Sequence, residues 1–600
     1  MKRKAIALIF LFSVLIYCNS LGGAFVWDDH AFVEVNPAIR SLANTRYFFT
    51  DPATTAVGEL ARDVYRPITT LSYAVDFFLW GFNSFGYHLT NVILHSFNGI
   101  LVFLLLSIMF GDFFLALAAG LIFISHPVQT EVVSWISGRS SVLFMFFYLL
   151  SFIFYIKARE SKKIFYLYSI IFFCMSLLSK EMAITLPLIL ILYDLHFGRR
   201  FDIKESIVRY LPYFAIALFF VITRMTLMGQ VGQFSGWGEP YRVFLTMSKV
   251  VVDYVRILFF PVTLCAIGYD VAISKSILEP AALASITFLA VILSGIPFLY
   301  RRFRAASFSI LFFFITLLPV VNIIPIKALE AERFLYLPSL GFCVLIAFII
   351  SAADKRFKNP IARNGPRIAV LIAFTLIAFY ALRTSARNND WADEITIGRR
   401  TLEARSSGAW GMATLGENYL ASGNYKEAIK YLEDAVAHAP EYELAYNLLG
   451  TAYYKSGRYT DAVAAFTKAL RLDQMPGVPT HDKLGISYAN LKMYDEAERQ
   501  FKTAITEDPY FVNAHLNLGR LYEVRGDYTA ALKQYLKGVI YSSNDTYLTV
   551  VNYIRIGDLY TKMGGAPKDR EYYLKAKKAL GSKNEGLLKL IEKKIANLPK

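Results

Sequence analysis

Residues 445–470 read AYNLLGTAYYKSGRYTDAVAAFTKAL. Within them Leu449-Gly450, Tyr453, Gly457, Tyr459, Ala462, Phe466 and Ala469 fall where Leu415-Gly416, Tyr419, Gly423, Tyr425, Ala428 and Ala435 begin the same pattern 34 residues earlier. A third copy holds Leu484-Gly485, Tyr488, Tyr494, Ala497, Phe501, Ala504 and Pro509, and a fourth Leu518-Gly519, Tyr522, Gly526, Tyr528 and Ala531. A fixed period of this length implies paired helices stacked in a line. Small Gly and Ala let the two helices of a pair approach, Tyr, Leu and Phe fill between them, and Pro440 and Pro509 break the chain between pairs.

A weaker fifth copy surrounds Gly557, Tyr560 and Gly564, and an amphipathic stretch near 584–597 suits a capping helix. The set resembles the tetratricopeptide repeat (TPR) family. Residues 409–582 are therefore expected to form a TPR α-solenoid of about five repeats, with 583–600 as its cap. Stacked repeats leave a concave groove suited to a polypeptide; the plainer alternative is an array that only stabilises itself.

Upstream the composition changes. The chain is 55% hydrophobic and only 18% charged, which selects a membrane class, and residues 1–385 hold nearly all the long apolar runs. Runs lie near 5–22, 91–110, 112–126, 140–156, 163–179, 182–196, 208–228, 281–299, 305–324, 334–351 and 367–384. Residues 386–408 read as a linker. Lys and Arg collect between the runs, at Lys2-Arg3-Lys4, Lys157/Arg159/Lys162/Lys163, Arg199/Arg200/Lys204, Arg301/Arg302/Arg304 and Lys355/Arg356/Lys358/Arg363/Arg367. The net charge of +16 is therefore a topology signal and not a nucleic-acid-binding face. All five groups share one side if 244–266, which carries Lys249, Asp253, Arg256 and Pro261, does not cross but lies at the interface or re-enters. About eleven crossings follow, putting the 23–88 loop and the repeat tail together on the outer side.

The expected fold class is all-α: a polytopic helical membrane domain over 1–385, then the α-solenoid. The start, Lys2-Arg3-Lys4 before Ala5 to Tyr17, resembles a signal peptide and is read as an uncleaved first span; Tyr17 argues against lipoprotein cleavage at Cys18. Cys18, Cys174, Cys265 and Cys343 lack paired spacing, so buried thiols are expected in place of a disulfide framework or zinc site.

Charge near hydrocarbon is costly without a partner or a task. On the expected outer side stand Asp28 and Asp29, Tyr65-Arg66-Pro67, His88 with Asn91 and His95, His126, Glu131, Arg139, Lys180-Glu181, and Glu330, Glu332 and Arg333. An acidic pair among cations at one membrane face fits a site that grips a lipid phosphate while a carboxylate takes a hydroxyl proton. Plainer roles are helix caps for the Asp pair, interhelical hydrogen bonds for His88, Asn91 and His95, an ion pair for Lys180-Glu181, and headgroup contacts for Arg139 and Arg333.

The same stretches carry a resemblance. Phe25-Val26-Trp27-Asp28-Asp29, Tyr65-Arg66-Pro67, Gly86-Tyr87-His88, His126-Pro127 with Glu131, Trp135 and Gly138-Arg139, Ser179-Lys180-Glu181, and Glu332-Arg333-Phe334-Leu335-Tyr336-Leu337-Pro338 resemble the transmembrane-and-TPR-containing (TMTC) protein O-mannosyltransferases and their prokaryotic relatives. That family is similar to the GT-C glycosyltransferases, which take sugar from a polyprenyl-phosphate carrier. The resemblance implies inverting transfer of a hexose, mannose foremost, to Ser or Thr hydroxyls, with Asp28 or Asp29 as general base. It implies that Arg139, Lys180 and Arg333 meet the carrier phosphate, with Arg66, His88, His126, Glu131, Glu181 and Glu332 completing the substrate site. No metal ligand set and no cofactor is read, and a need for a divalent ion is left open. The partners it implies are the bilayer, the polyprenyl-phosphate sugar and an acceptor polypeptide in the TPR groove, without nucleic acid. The compactness of the chain favours a bacterial inner membrane over the endoplasmic reticulum, and the odd number of crossings then makes the repeats periplasmic. The loop 229–243, with Gly236-Trp237-Gly238-Glu239-Pro240, departs from the eukaryotic pattern and leaves sugar and acceptor open. Alternatives are the same fold glycosylating a lipid-linked glycan or envelope polymer, and a membrane-anchored scaffold without enzymatic activity. A transporter fits less well, since the charges gather at the edge and not mid-membrane.

Overall fold

The computed structural model describes residues 1–57, 64–160, 163–198, 203–228, 239–265, 271–324, 326, 328–356, 368–404, 408–472, 477–542, 546–565, 567–581 and 584–598. Among them every regular element is helical, and the chain divides into two compact units, Met1–Ser406 and Ser407–Lys600.

Among the described residues of the first unit, six helices are long and apolar enough to cross a bilayer: Lys2–Gly22, Ser84–Phe110, Ile136–Arg159, Ile207–Leu227, Pro280–Arg302 and Ala369–Trp391. The pair Phe113–Ser125 and Pro127–Val133, bent by 51° where Pro127 interrupts it, brings the number to as many as seven. The chain is an integral membrane protein. Ile164–Ser179, Arg304–Val320 and Ser339–Ala353 are apolar but shorter. The run expected over 182–196 is two pieces, a 3₁₀ turn Glu181–Thr185 and a 12-residue helix Leu186–Phe197 with Pro187 in its first turn. At 1.5 Å per residue that helix reaches about 18 Å, short of an apolar core of about 30 Å. Much of the segment 244–266, expected not to cross, lies in the helix Pro240–Phe259, which buries Leu245, Val250, Tyr254 and Ile257 along one side. Lys162, Arg199, Arg200, Lys358, Arg363, Arg367 and Gly236-Trp237-Gly238 lie outside the described residues.

Helix ends and crossings follow from local chemistry. Asn83 and Asp112 cap Ser84–Phe110 and Phe113–Ser125, each side-chain oxygen accepting from an early backbone N–H. A side chain at Gly99 would collide with Ile124, and its absence lets these two helices touch. Ser151 donates to the Ser169 carbonyl and Ser176 to the Phe144 carbonyl, each at 2.7 Å, pinning adjacent helices. Of the four thiols expected to be buried, Cys265 and Cys343 are; Cys18, where the first α-helix ends, is exposed and Cys174 is half-buried.

The stretch 386–404, expected within the linker, is built into the first unit. The last span runs into a 3₁₀ turn, Asn389–Trp391, and then the helix Glu394–Ala404. Trp391 is 1% exposed and clusters with Val26, Trp135 and Ile397, so apolar burial anchors what the polar composition presents as a tether.

The second unit pairs helices Ala409–Ala421 with Tyr425–His438, Glu443–Lys455 with Tyr459–Leu472, Val478–Asn490 with Tyr494–Glu507, Val512–Arg525 with Tyr528–Tyr541, and Thr546–Lys562 with Lys568–Leu580. The helix Glu585–Ala596 follows. Each pair shares one device. A Cβ on Gly416, Gly450, Gly485, Gly519 or Gly557 would strike Leu432, Phe466, Phe501, Tyr535 or Tyr573 of its partner helix. Gly423, Gly457 and Gly526 end their first helices in the left-handed conformation, and in the third repeat Lys492 takes that conformation at φ +61°. Lys492→Gly is expected to stabilise the array by about 1 kcal/mol, read as a higher unfolding midpoint by circular dichroism.

Candidate functional site

The helix Arg139–Glu160, 22 residues and so about 33 Å long, separates two charged ends of the first unit. At the Arg159 end, Asp194 gathers Arg159, Arg209, Tyr155 and Tyr210. At the Arg139 end meet most of the charges singled out in the sequence.

The adjacent aspartates differ sharply. Asp29 is fully buried and accepts from Val26 N at 3.0 Å, from Ser137 N at 2.8 Å and from the Ser137 hydroxyl. Burial nonetheless pushes its carboxyl up to about 7, against those hydrogen bonds. Asp28 is half-buried, and no hydrogen bond reaches its carboxylate among the described residues. Burial raises its carboxyl too, while the fields of Arg333 and then Arg66 draw it down. Asp29 is a structural brace, and Asp28 is a carboxylate in the fields of two guanidiniums.

Those guanidiniums are themselves held. Arg333 bonds Glu131 through its side chain and its backbone N–H, both at 2.6 Å, with its guanidinium carbon 5.8 Å from the Trp135 ring centre. Arg66 grips both oxygens of Glu181, at 2.8 and 3.3 Å, while Arg224 reaches the same carboxylate at 3.8 Å. Although burial works the other way, Arg66 and Arg224 hold the Glu181 carboxyl well below the usual carboxylate range. Lys180 is 5% exposed and donates to Ser141 Oγ at 2.7 Å. Burial draws its ammonium down to about 7, the charge of Arg66 adds to this, and Glu181 opposes it. Asp28, Arg66, Lys180, Glu181, Glu131 and Arg333 therefore form one electrostatically connected group. A small recess beside it is lined by Arg66, Thr69, Tyr73, Ser137 and Ser140.

Other residues expected at the site sit behind it. Arg139, expected at the carrier phosphate, is wholly buried. Its three side-chain nitrogens bond Asp76 at 2.7 Å, the Tyr87 carbonyl at 2.8 Å, Ser72 at 3.3 Å and the Asn91 carbonyl oxygen. His88 faces the Gly23 carbonyl at 3.2 Å, and His126 the Leu258 carbonyl at 2.9 Å while accepting from Val128 N at 3.2 Å. His95 bonds Tyr336 at 2.8 Å. Glu332, fully buried, pairs with Arg387 at 2.6 Å and accepts from Cys265 N at 2.9 Å. These side chains hold the frame together through bonds to backbone carbonyls and buried side chains in a low-dielectric interior. Sequence reasoning passed over Asp76, Ser137, Arg224, Arg387 and Glu394. Asp76 was within reach of it, as a lone charge in the apolar run Leu71–Trp80.

Comparison with known proteins falls on both units. The family model described as "Tetratricopeptide repeat" matches residues 414–475 and 483–545. The repeats are TPRs. Over 458 residues the chain is 30% identical to the Caenorhabditis elegans protein O-mannosyl-transferase F38B6.6, a match covering 74% of this chain and 63% of that relative. It is 24% identical to the protein O-mannosyl-transferase TMTC3 of mouse, over 91% of this chain and 64% of the relative, and to its human counterpart over 91% and 65%. The chain thus spans less than two thirds of the length of these three relatives. Among solved structures, the TPR protein YrrB aligns with 33% of this chain and 97% of its own at 18% identity and a TM-score of 0.26. The type IV pilus biogenesis factor PilW covers 37% of this chain and 96% of its own at 17% identity and a TM-score of 0.30.

Proposed function

We propose that this protein is a membrane glycosyltransferase that moves a hexose, mannose foremost, from a polyprenyl-phosphate carrier to Ser or Thr hydroxyls of a polypeptide. The observation that carries this is Asp28: a carboxylate that accepts no hydrogen bond among the described residues, in the fields of Arg333 and Arg66, beside a fully committed Asp29. Similarity to protein O-mannosyl-transferases over both units supports the acceptor and the sugar.

In this reading Asp28 takes the acceptor hydroxyl proton as the oxygen attacks the anomeric carbon. The bond from that carbon to the phosphate oxygen breaks, configuration inverts, and the carrier leaves as its phosphate. Arg66 and Arg333, 19% and 27% exposed at their side chains, grip the phosphate, with Lys180 beneath them as a third charge. Arg139 belongs to the frame and not to the phosphate site. The TPR groove offers the acceptor, on the outer side of a bacterial inner membrane.

The test is the purified protein in liposomes with radiolabelled polyprenyl-phosphate mannose and a Ser/Thr peptide. Label on the peptide hydroxyls is expected; label only in a lipid-extractable glycan, or none transferred, contradicts the reading. Lys180 adds a pH signature. Its ammonium is charged below about 7 and neutral above, so the KM for the donor rises as pH increases through that value. Lys180→Met is expected to raise that KM about tenfold at pH 6 and much less at pH 9, read from initial rates.

A further inference from the structure

The segment beyond the last span holds both flanks of the aspartate pair. Trp27 N donates to Glu394 Oε1 at 3.1 Å, and His30 Nε2 lies 3.0 Å from the same oxygen. One carboxylate oxygen therefore clasps the residues immediately before Asp28 and after Asp29. Nearby, Ala24 N donates to the Ala392 carbonyl at 2.9 Å and Asn19 Nδ2 to the Ser385 carbonyl at 2.7 Å, so the two strands of chain run together.

What the clasp holds is not a relaxed loop. Trp27 stands at φ +52°, a conformation that bulky L-residues adopt only when their surroundings over-determine it. Glu394 fixes its N–H, and its ring meets Trp135 and Trp391 edge-on at 6.0 and 5.8 Å. The backbone angle at Trp27 sets the direction in which the next side chain, Asp28, leaves the loop. His30 completes the arrangement by bonding Glu34 through its other ring nitrogen.

We propose that Glu394 is a positioning residue: from beyond the last span it imposes the left-handed turn at Trp27 and so sets the direction of the Asp28 carboxylate. The consequence for catalysis rests on Asp28 being the base; the clasp itself does not. Because Glu394 lies in the segment that continues into the TPR array, the proposal also assigns that segment a part in the chemistry.

Two variants separate reach from charge. Glu394→Gln keeps an oxygen at the same length without the charge, and Glu394→Asp keeps the charge but withdraws the oxygen by one methylene. With the full-length protein in detergent, Glu394→Asp and Glu394→Ala are expected to lower kcat about 10- to 100-fold with the donor KM within about twofold of wild type, since misaiming a reacting group costs rate and not binding. Glu394→Gln stays near wild type. Glu403→Ala, on the same helix and paired with Arg400, is the control that leaves kcat unchanged. Hydrogen exchange reads the clasp without sugar transfer: the amides of Trp27 to His30 exchange faster in Glu394→Asp and Glu394→Ala than in Glu394→Gln. Unchanged exchange in both, or Gln impaired while Asp is normal, overturns the proposal. A wild type that transfers no sugar while the exchange pattern holds overturns the Asp28 reading instead.

Discussion

Asp28→Asn is expected to lower sugar transfer about 10²- to 10⁴-fold and to leave the unfolding midpoint where it is. The substitution keeps the size of the side chain and removes only the proton acceptor, and losing a positioned general base costs a rate factor of that order. The fold has little stake in the change, since no hydrogen bond ends on the Asp28 carboxylate among the described residues. The neighbouring Asp29→Asn is expected to do the reverse. Asp29 accepts from two backbone N–H groups and the Ser137 hydroxyl, and an amide turns one accepting oxygen into a donor that faces a donor. That mismatch costs about 1–3 kcal/mol of stability. Single-turnover kinetics and thermal melting on both variants separate the two aspartates, and equal transfer by Asp28→Asn and wild type removes Asp28 from the chemistry.

The second large effect is structural. Arg139→Met is expected to destabilise the first unit by about 3–5 kcal/mol, because it strands the Asp76 carboxylate, 4% exposed at its side chain, without its only ion-pair partner among the described residues. The double variant Arg139→Met with Asp76→Leu is expected to recover much of that loss, since a buried pair replaced by apolar side chains forfeits no net solvation. Denaturant unfolding in detergent reads both. A phosphate-binding Arg139 predicts instead a stable protein with weakened donor binding.

The contrast between these residues shows where sequence reading works and where it stops. The repeats were legible because their device is local: a glycine and the large side chain it receives lie 16 residues apart, as in Gly450 with Phe466, and recur. The spans were legible wherever an apolar run is also long enough. The 182–196 run was not, because Pro187 and the Lys180-Glu181 turn shorten the helix, which hydropathy alone does not register. At the site, the residue types and their order revealed the charged cluster. They did not distinguish Asp28 from Asp29, since the donors that commit Asp29 are the backbone N–H groups of Val26 and Ser137, one of them 108 residues away. Nor did they reveal that 386–404 is a strut. Arg387 and Glu394 look like tether residues, and their partners Glu332 and Trp27 lie 55 and 367 positions off. Buried polar pairing across such separations leaves no periodicity to read.

In the proposed reaction a sugar phosphate sits between Asp28 and the cations Arg66, Arg333 and Lys180. A structure of the full-length protein bound to polyprenyl-phosphate mannose tests this most directly. The phosphate is expected in hydrogen-bond contact with Arg66 and Arg333, with Lys180 beneath it and the Asp28 carboxylate facing the anomeric carbon from the side opposite the phosphate. A phosphate bound instead at the far end of the unit, among Arg159 and Arg209, with Asp28 facing no sugar, contradicts it.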